Sequence, residues 1–185
     1  MPIYTRTGDD GTTALFGGKR TRKSNPLVDL YGSIDELNSW VGLIVSGVKD
    51  TRLASFLTTI QSDLFTIGST LAGWKGDLTP LHPRIGEMER YIDSMDKTLP
   101  MLTNFILPGG SQEGARIHIT RNVCRRVERR LVAVSQKQRI DPFIIKYLNR
   151  LSDLFFCLAR FINKREKAGE IIWSGIPRTK INNQK

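Results

Sequence analysis

The sequence predicts an all-α protein: a five-helix antiparallel bundle preceded by an irregular N-terminal segment. Three observations carry this expectation. After residue 26, apolar residues recur in steps of three and four almost without a break. The connections between these stretches are short and punctuated by proline, glycine and capping residues. The first 25 residues show no such pattern and lie outside the bundle. One domain over residues 1–185 is expected, with parts 1–25, 26–168 and an irregular tail at 169–185.

Ile34, Leu37, Val41, Ile44 and Val48 mark the first helix. Ser33 and Glu36 have capping-box spacing, and Pro26 offers an earlier start. Leu53, Phe56, Ile60, Leu64, Ile67 and Leu71 mark the second helix, which ends around Gly73 and Gly76. Thr79 to Pro83 holds two prolines and reads as loop. Ile85, Met88, Ile92, Met95 and Leu99 mark the third helix, stopped by Pro100. Phe105-Ile106-Leu107-Pro108-Gly109-Gly110 is a short apolar run into a turn, after which Ser111 caps the fourth helix. The stripe of that helix is Ile117, Thr120, Cys124, Val127, Leu131 and Val134. Asp141-Pro142 supplies an N-cap and an N1 proline for the fifth. Its stripe runs through Ile144, Tyr147 or Leu148, Leu151, Phe155, Leu158 and Ile162. In the tail, Trp173 is the only strong apolar anchor.

Composition narrows the function. Hydrophobic residues make up 39% and charged residues 25% of 185, ordinary for a globular chain. No apolar run approaches the ~20 residues that span a bilayer, and the polar N-terminus does not read as a secretory signal, so a cytoplasmic protein is expected. The two cysteines fall on apolar stripes and read as core, and the two histidines lack metal-ligand spacing, so no metal-ligand residues are assigned. Twenty-eight Lys+Arg against 18 Asp+Glu give a net charge of +10, which calls for an anionic partner or a solvated basic surface.

Thr5-Arg6-Thr7-Gly8-Asp9-Asp10-Gly11-Thr12-Thr13 packs two glycines and four threonines into nine residues with no apolar residue among them. Such a segment cannot form core. It can wrap a phosphate chain, because glycine admits close backbone approach, hydroxyls donate, and successive N–H groups form an anion nest. It lacks the Gly-Lys-Ser/Thr ending of a Walker loop, and a mobile tail is the competing reading. Lys19, Arg20, Arg22 and Lys23 follow at once.

Polar residues also interrupt helix faces. Arg121, Arg125 and Glu128 fall within an arc of about 60° beside the core stripe of the fourth helix. Arg116, Arg126, Arg129 and Arg130 extend the field. Such a row suits bidentate phosphate recognition, or forms a solvated face with Arg121 or Arg125 paired to Glu128. Asp35 and Asn38 flank the stripe of the first helix, where a carboxylate needs a cation; Arg121 is the natural candidate, and a first-turn capping role for Asp35 competes. Asn149, a poor helix former, sits between Leu148 and Leu151 with Arg150 and Asp153 nearby. Phe105 stands before Pro-Gly-Gly, either as a plug for the bundle end or as an apolar wedge into a ligand site.

Five ordered segments resemble one family: residues 4–13, Tyr31-Gly32-Ser33-Ile34-Asp35-Glu36-Leu37-Asn38-Ser39, the Phe105 to Gly110 run, Arg121-Asn122-Val123-Cys124-Arg125-Arg126-Val127-Glu128-Arg129, and Tyr147-Leu148-Asn149-Arg150-Leu151-Ser152-Asp153. Together they are similar to ATP:cob(I)alamin adenosyltransferases of the PduO type, over roughly residues 3 to 167. Thr120 and Asn122 depart from the residues usual beside the key arginine, as does Asp29-Leu30 before Tyr31.

The resemblance implies a homotrimer with sites between subunits. There ATP, as co-substrate with Mg2+, would donate its 5′-deoxyadenosyl group to cobalamin and leave triphosphate. It implies that Thr5, Arg6, Thr7, Gly8, Thr13 and Ala14 wrap the triphosphate, with Lys23, Arg125, Arg126 and Arg129 adding positive charge. It implies that Glu128 and Asn149 fix the nucleoside end, and that Asn38 joins the binding set. Asp35 and Arg121 would pair across subunits near the corrinoid, and Phe105 would occupy the lower face of the ring. A reductase and an adenosylcobalamin-dependent mutase are the implied protein partners. A basic nucleic-acid-binding module and a non-catalytic corrinoid or ATP carrier are the alternative readings, the first opposed by arginines that border the apolar stripe.

Overall fold

A computed structural model describes residues 3–175. Five helices dominate: α1 (Pro26–Gly47), α2 (Thr51–Leu71), α3 (His82–Asp96), α4 (Gln112–Ser135) and α5 (Pro142–Arg165). A two-stranded ladder, β1 (Thr12–Ala14) with β2 (Arg20–Arg22), precedes them. The end of the expected tail, residues 176–185, lies outside the described residues.

Local chemistry sets the helix ends. Asn25 caps α1 by accepting from the Leu27 N–H at 2.9 Å, with Pro26 as the first helical residue. The Ser33–Glu36 box is therefore not a start. Ser33 is buried a full two turns in, and its hydroxyl donates to the Asp29 carbonyl at 2.5 Å. Asp50, Ser111 and Asp141 cap α2, α4 and α5 in the same way. The expected loop at 79–83 is instead a 3-10 turn (Thr79–Leu81) leading straight into α3, with Pro83 in its first turn, where no N–H is missed. Helix α3 stops at Asp96, short of Leu99. The N-terminal segment is more regular than expected, because Gly11, Gly17 and Gly18 take positive φ and let the chain fold back as a hairpin.

The apolar stripes converge on one core. Leu30, Ile34, Leu37, Val41 and Ile44 of α1 pack with Leu57, Ile60, Leu64 and Ile67 of α2. Ile117, Cys124, Val127 and Leu131 of α4 meet Leu148, Leu151, Phe155 and Leu158 of α5. Fully burying each such aliphatic side chain contributes about 1.5–3 kcal/mol. Both cysteines are buried free thiols, and burial pushes Cys157 up to about 11. Along α1 and α4 the contacts run in opposite order: Asp29 with Arg130, Glu36 with Arg126, and Gly47 against Glu113.

Two buried polar arrangements interrupt this core. Asp63 of α2, 6% exposed, accepts from Tyr147 Oη at 2.9 Å and from Arg84 Nε at 2.7 Å. It ties three helices together, and burial and the Asp63 charge raise the Tyr147 pKa well above its usual value. His118 of α4 is 3% exposed, and neither ring nitrogen has a partner among the described residues. Burial, then the Arg121 charge, lowers its pKa, while Glu170 opposes.

Two outcomes follow from these groups. Asp63→Ala strands the Tyr147 hydroxyl and leaves Arg84 with Glu87 alone, and should cost about 3 kcal/mol in urea unfolding, against about 1 kcal/mol for Tyr147→Phe. Equal small losses would contradict the network. Folded His118 takes up its proton at lower pH than the unfolded residue, whose imidazole titrates at about pH 6.5. Its contribution is therefore complete above that pH and is lost as pH falls below it. His118→Leu should flatten the acid-side decline of the urea midpoint; an unchanged decline would show that His118 does not cause it.

Candidate functional site

The N-terminal hairpin brings distant residues of the glycine–threonine segment together. Asp10 accepts from the Thr12 N–H at 2.9 Å and from the Thr12 hydroxyl at 2.7 Å, closing the turn, and these bonds lower its pKa. Arg20 of β2 reaches back to the Thr7 carbonyl and the Thr12 hydroxyl. The Lys23 N–H donates to the Gly11 carbonyl at 2.9 Å. That fold-back sets the Lys23 ammonium beside Gly8, where an added Cβ would lie 3.1 Å from the Thr12 carbonyl and 3.4 Å from Lys23 Nζ. Thr5 and Thr7 share a hydroxyl hydrogen bond of 2.9 Å. Thr13 lies in β1 opposite Thr21, and Ala14 opposite Arg20. Arg6 takes a left-handed φ of 60°. The strap is moored to the bundle at the end of α2, where the Phe16 N–H donates to the Ala72 carbonyl at 2.9 Å.

Helix α4 carries six arginines, at 116, 121, 125, 126, 129 and 130, against Glu113 and Glu128. Three have carboxylate partners: Arg116 with Glu113, Arg126 with Glu36, and Arg130 with Asp29. Arg121, Arg125 and Arg129 have none among the described residues. Arg121 lies over the Phe156 ring at 5.1 Å, and burial together with the Arg125 charge lowers its pKa, with Asp153 opposing. Glu128 does not pair with Arg121 or Arg125. It accepts instead from Asn149 Nδ2 of α5 at 3.1 Å. This contact joins two residues singled out separately in the sequence, with Arg125 and Arg129 exposed on the same helix.

Asp35 and Asn38 line a groove of about 330 Å³ between α1 and α2, with Tyr31, Phe65 and Ser69. Asn38 donates to the Gln61 carbonyl at 3.2 Å, and its Oδ1 is buried without a partner. In one protomer Asp35 has no ion pair with Arg121. Phe105 does not plug the bundle: it is 77% exposed, with its ring edge-to-face on Trp173 at 6.4 Å between centroids. It precedes α4, so about 21 Å of helix separates Ser111 from Arg125.

Three residues near this end, Arg160, Asn163 and Glu170, drew no notice in the sequence, and Trp173 was read only as an apolar anchor of the tail. Arg160 and Asn163 are buried, and they hold the Phe105 loop together with Glu170 and Trp173. The available signal was a charged residue and an asparagine on either side of the Ile162 stripe position in α5. Among the described residues, no group of three His, Cys, Asp or Glu side chains could hold a metal ion, and no helix is long and apolar enough to cross a membrane.

Residues 3–162 match the family model for cobalamin adenosyltransferase. A corrinoid adenosyltransferase of Bacillus subtilis is 42% identical over 179 residues, covering 92% of this chain and 91% of its own length. The corrinoid adenosyltransferase PduO of Citrobacter freundii is 41% identical over 165 residues; the match takes in 86% of this chain but only 49% of that relative. Among solved structures, a variant PduO-type ATP:corrinoid adenosyltransferase from Lactobacillus reuteri complexed with cobalamin and ATP superposes with a TM-score of 0.86 at 34% identity. The superposition covers 94% of this chain and all of that one.

Proposed function

The chain belongs to the cobalamin adenosyltransferase family, and from that premise we propose how its residues serve the reaction. It is a corrinoid adenosyltransferase with ATP and cobalamin as substrates. The observation that carries the residue-level reading is the Glu128–Asn149 contact flanked by the unpaired guanidinium groups of Arg125 and Arg129. A polar pair of that kind suits a nucleoside, and the guanidinium groups suit its phosphates.

The glycine–threonine strap and Lys23 wrap the triphosphate, and the α4 arginines neutralise it. No hydrogen bond joins strap and α4 within the described protomer, and the strap is moored at the α2 end. We therefore read the site as shared by neighbouring copies, in a homotrimer of antiparallel bundles. Asp35 in the α1–α2 groove and Arg121 on α4, both without ion-pair partners in one protomer, meet across that seam in this reading. Magnesium fits as an ion carried on the phosphates, whose oxygens supply the hard ligands it prefers.

The chemistry is a displacement. The Co(I) electron pair attacks C5′ of ATP, the C5′–O bond breaks, and triphosphate leaves with both electrons. Little proton transfer is needed, so the protein's contribution is alignment and charge neutralisation. The harder step is one-electron reduction of Co(II). A bulky apolar ring on the lower face of the corrin displaces the axial ligand and water and makes that reduction easier. Phe105, exposed and held on a tethered loop, is the residue suited to this.

Incubation with ATP, magnesium and pre-reduced cobalamin should yield a light-sensitive cobalt–carbon product and triphosphate in equal amounts. Formation of neither product is the result that contradicts the assignment. Phe105→Ala should lose much more activity starting from Co(II) and a one-electron reductant than from pre-formed Co(I), and equal losses would reject the wedge. Arg125→Ala should raise the ATP KM about tenfold or more, the scale of one lost charge-assisted pair. An unchanged ATP dependence would remove Arg125 from the phosphate site.

A further inference from the structure

The segment between α3 and α4 has almost no regular structure, yet it is tied down at both ends and around Phe105. Arg160 Nη2 donates to the Pro100 carbonyl at 2.9 Å. The Trp173 N–H donates to the Phe105 carbonyl at 2.8 Å, and the Leu107 N–H to the Ile171 carbonyl at 2.8 Å. Asn163 donates to the Gly109 carbonyl at 2.8 Å and accepts from both the N–H and the hydroxyl of Ser111 at 2.9 Å. Gly110 and Gly114 are needed for that approach, since a Cβ at either would overlap the Asn163 amide. Arg160, Asn163 and Lys164 stand at i, i+3 and i+4, so one face of α5 holds the loop.

The short pairing of Ile106 with Ile172 could not persist alone, because an isolated pair of strands is marginal in water. Its anchor is Arg160, 4% exposed, which grips Glu170 with Nε at 2.7 Å and Nη2 at 3.3 Å. A buried, bidentate guanidinium–carboxylate pair has the strength and the fixed geometry for that task. What it holds is not core. Phe105 is 77% and Trp173 52% exposed, and Ile171 and Ile172 are exposed as well. Ordering an exposed aromatic residue costs entropy that burial does not return here. The arrangement therefore presents the ring instead of hiding it.

We propose that Glu170–Trp173 is a positioning strap for Phe105, with Trp173 as the positioning residue and the Arg160–Glu170 pair as its anchor. The Trp173 ring limits how far the Phe105 ring can swing, so that it meets the lower face of the corrin at one height and tilt. The proposal rests on the wedge reading of Phe105. It adds that the wedge works only when buttressed from a segment more than sixty positions later in the chain.

The test compares Trp173→Ala, Trp173→Phe, Glu170→Gln and Phe105→Ala in the full chain. Each is assayed from Co(II) with a reductant and from pre-reduced Co(I), with the ATP KM and melting temperature recorded. Trp173→Ala should lose about tenfold on the Co(II) route, the scale of a sub-ångström misplacement, while keeping the Co(I) rate and ATP KM within about twofold. Trp173→Phe should recover most of the loss, and Glu170→Gln should lose selectively on the Co(II) route. A Trp173→Ala variant that keeps both rates, or loses both equally, overturns the strap. So does a Trp173→Phe variant no better than alanine. Selective loss in Phe105→Ala alongside either result leaves the wedge standing and the strap rejected. No selective loss in Phe105→Ala removes both. Because Trp173 is half exposed, its replacement keeps the test decisive even if Glu170→Gln unfolds.

Discussion

Uncompensated positive charge on α4 is the constraint around which the molecule is arranged. Six guanidinium groups share one helix with two carboxylates, and among the described residues of one protomer α1 pairs only Asp29 and Glu36 with them. Arg121 feels the deficit most directly, since its pKa is lowered by burial and by its neighbour Arg125. Repulsion of this kind weakens a folded chain unless something returns the energy. In the reading proposed above, a polyphosphate does so: the same charges would hold the nucleotide and lower the energy of the departing triphosphate as its charge grows.

The rest of the fold keeps two ends of the bundle fit for different tasks. Where α2 ends, the hairpin sets Lys23 beside Gly8 in a backbone-rich, hydroxyl-rich strap suited to anions. Where α4 begins, α5 commits buried polar side chains, Arg160 and Asn163, to holding exposed aromatic residues. About 21 Å of α4 lies between Ser111 and Arg125. One protomer thus carries the glycine–threonine segment and Phe105 at opposite ends of the bundle, which is why the proposed site is read as shared between copies.

Much of this was legible in the sequence, and the failures have physical causes. Five stripes at helical spacing gave the five helices, because a long amphipathic face leaves a repeating apolar signal. The boundaries were less legible: Ser33 and Glu36 satisfy a capping box, but Asn25-Pro26 offered a better start, and the helix took it. The hairpin was missed because three-residue strands with polar side chains carry no alternation to detect. Glu128 and Asn149 were each singled out, but their contact crosses two helices and no local pattern encodes it. Arg160, Asn163 and Glu170 escaped notice for the same reason. Their partners lie as far as sixty positions away, and a buried arginine looks in sequence like any other.

The most direct test of a nucleotide gripped in the seam between copies is subunit complementation. Gly8→Glu disables the strap by placing a carboxylate where phosphate should lie; Arg125→Ala disables the helix. Assayed at ATP below the wild-type KM, each variant alone should keep about a tenth of wild-type activity or less. Unfolded together in equal amounts and refolded as mixed oligomers, they should regain about a quarter of wild-type activity, since about one seam in four would combine an intact strap with an intact helix. If mixing restores nothing while each variant refolds and assembles normally, the strap and the arginines of a working site come from the same chain, and the account of the seam is wrong.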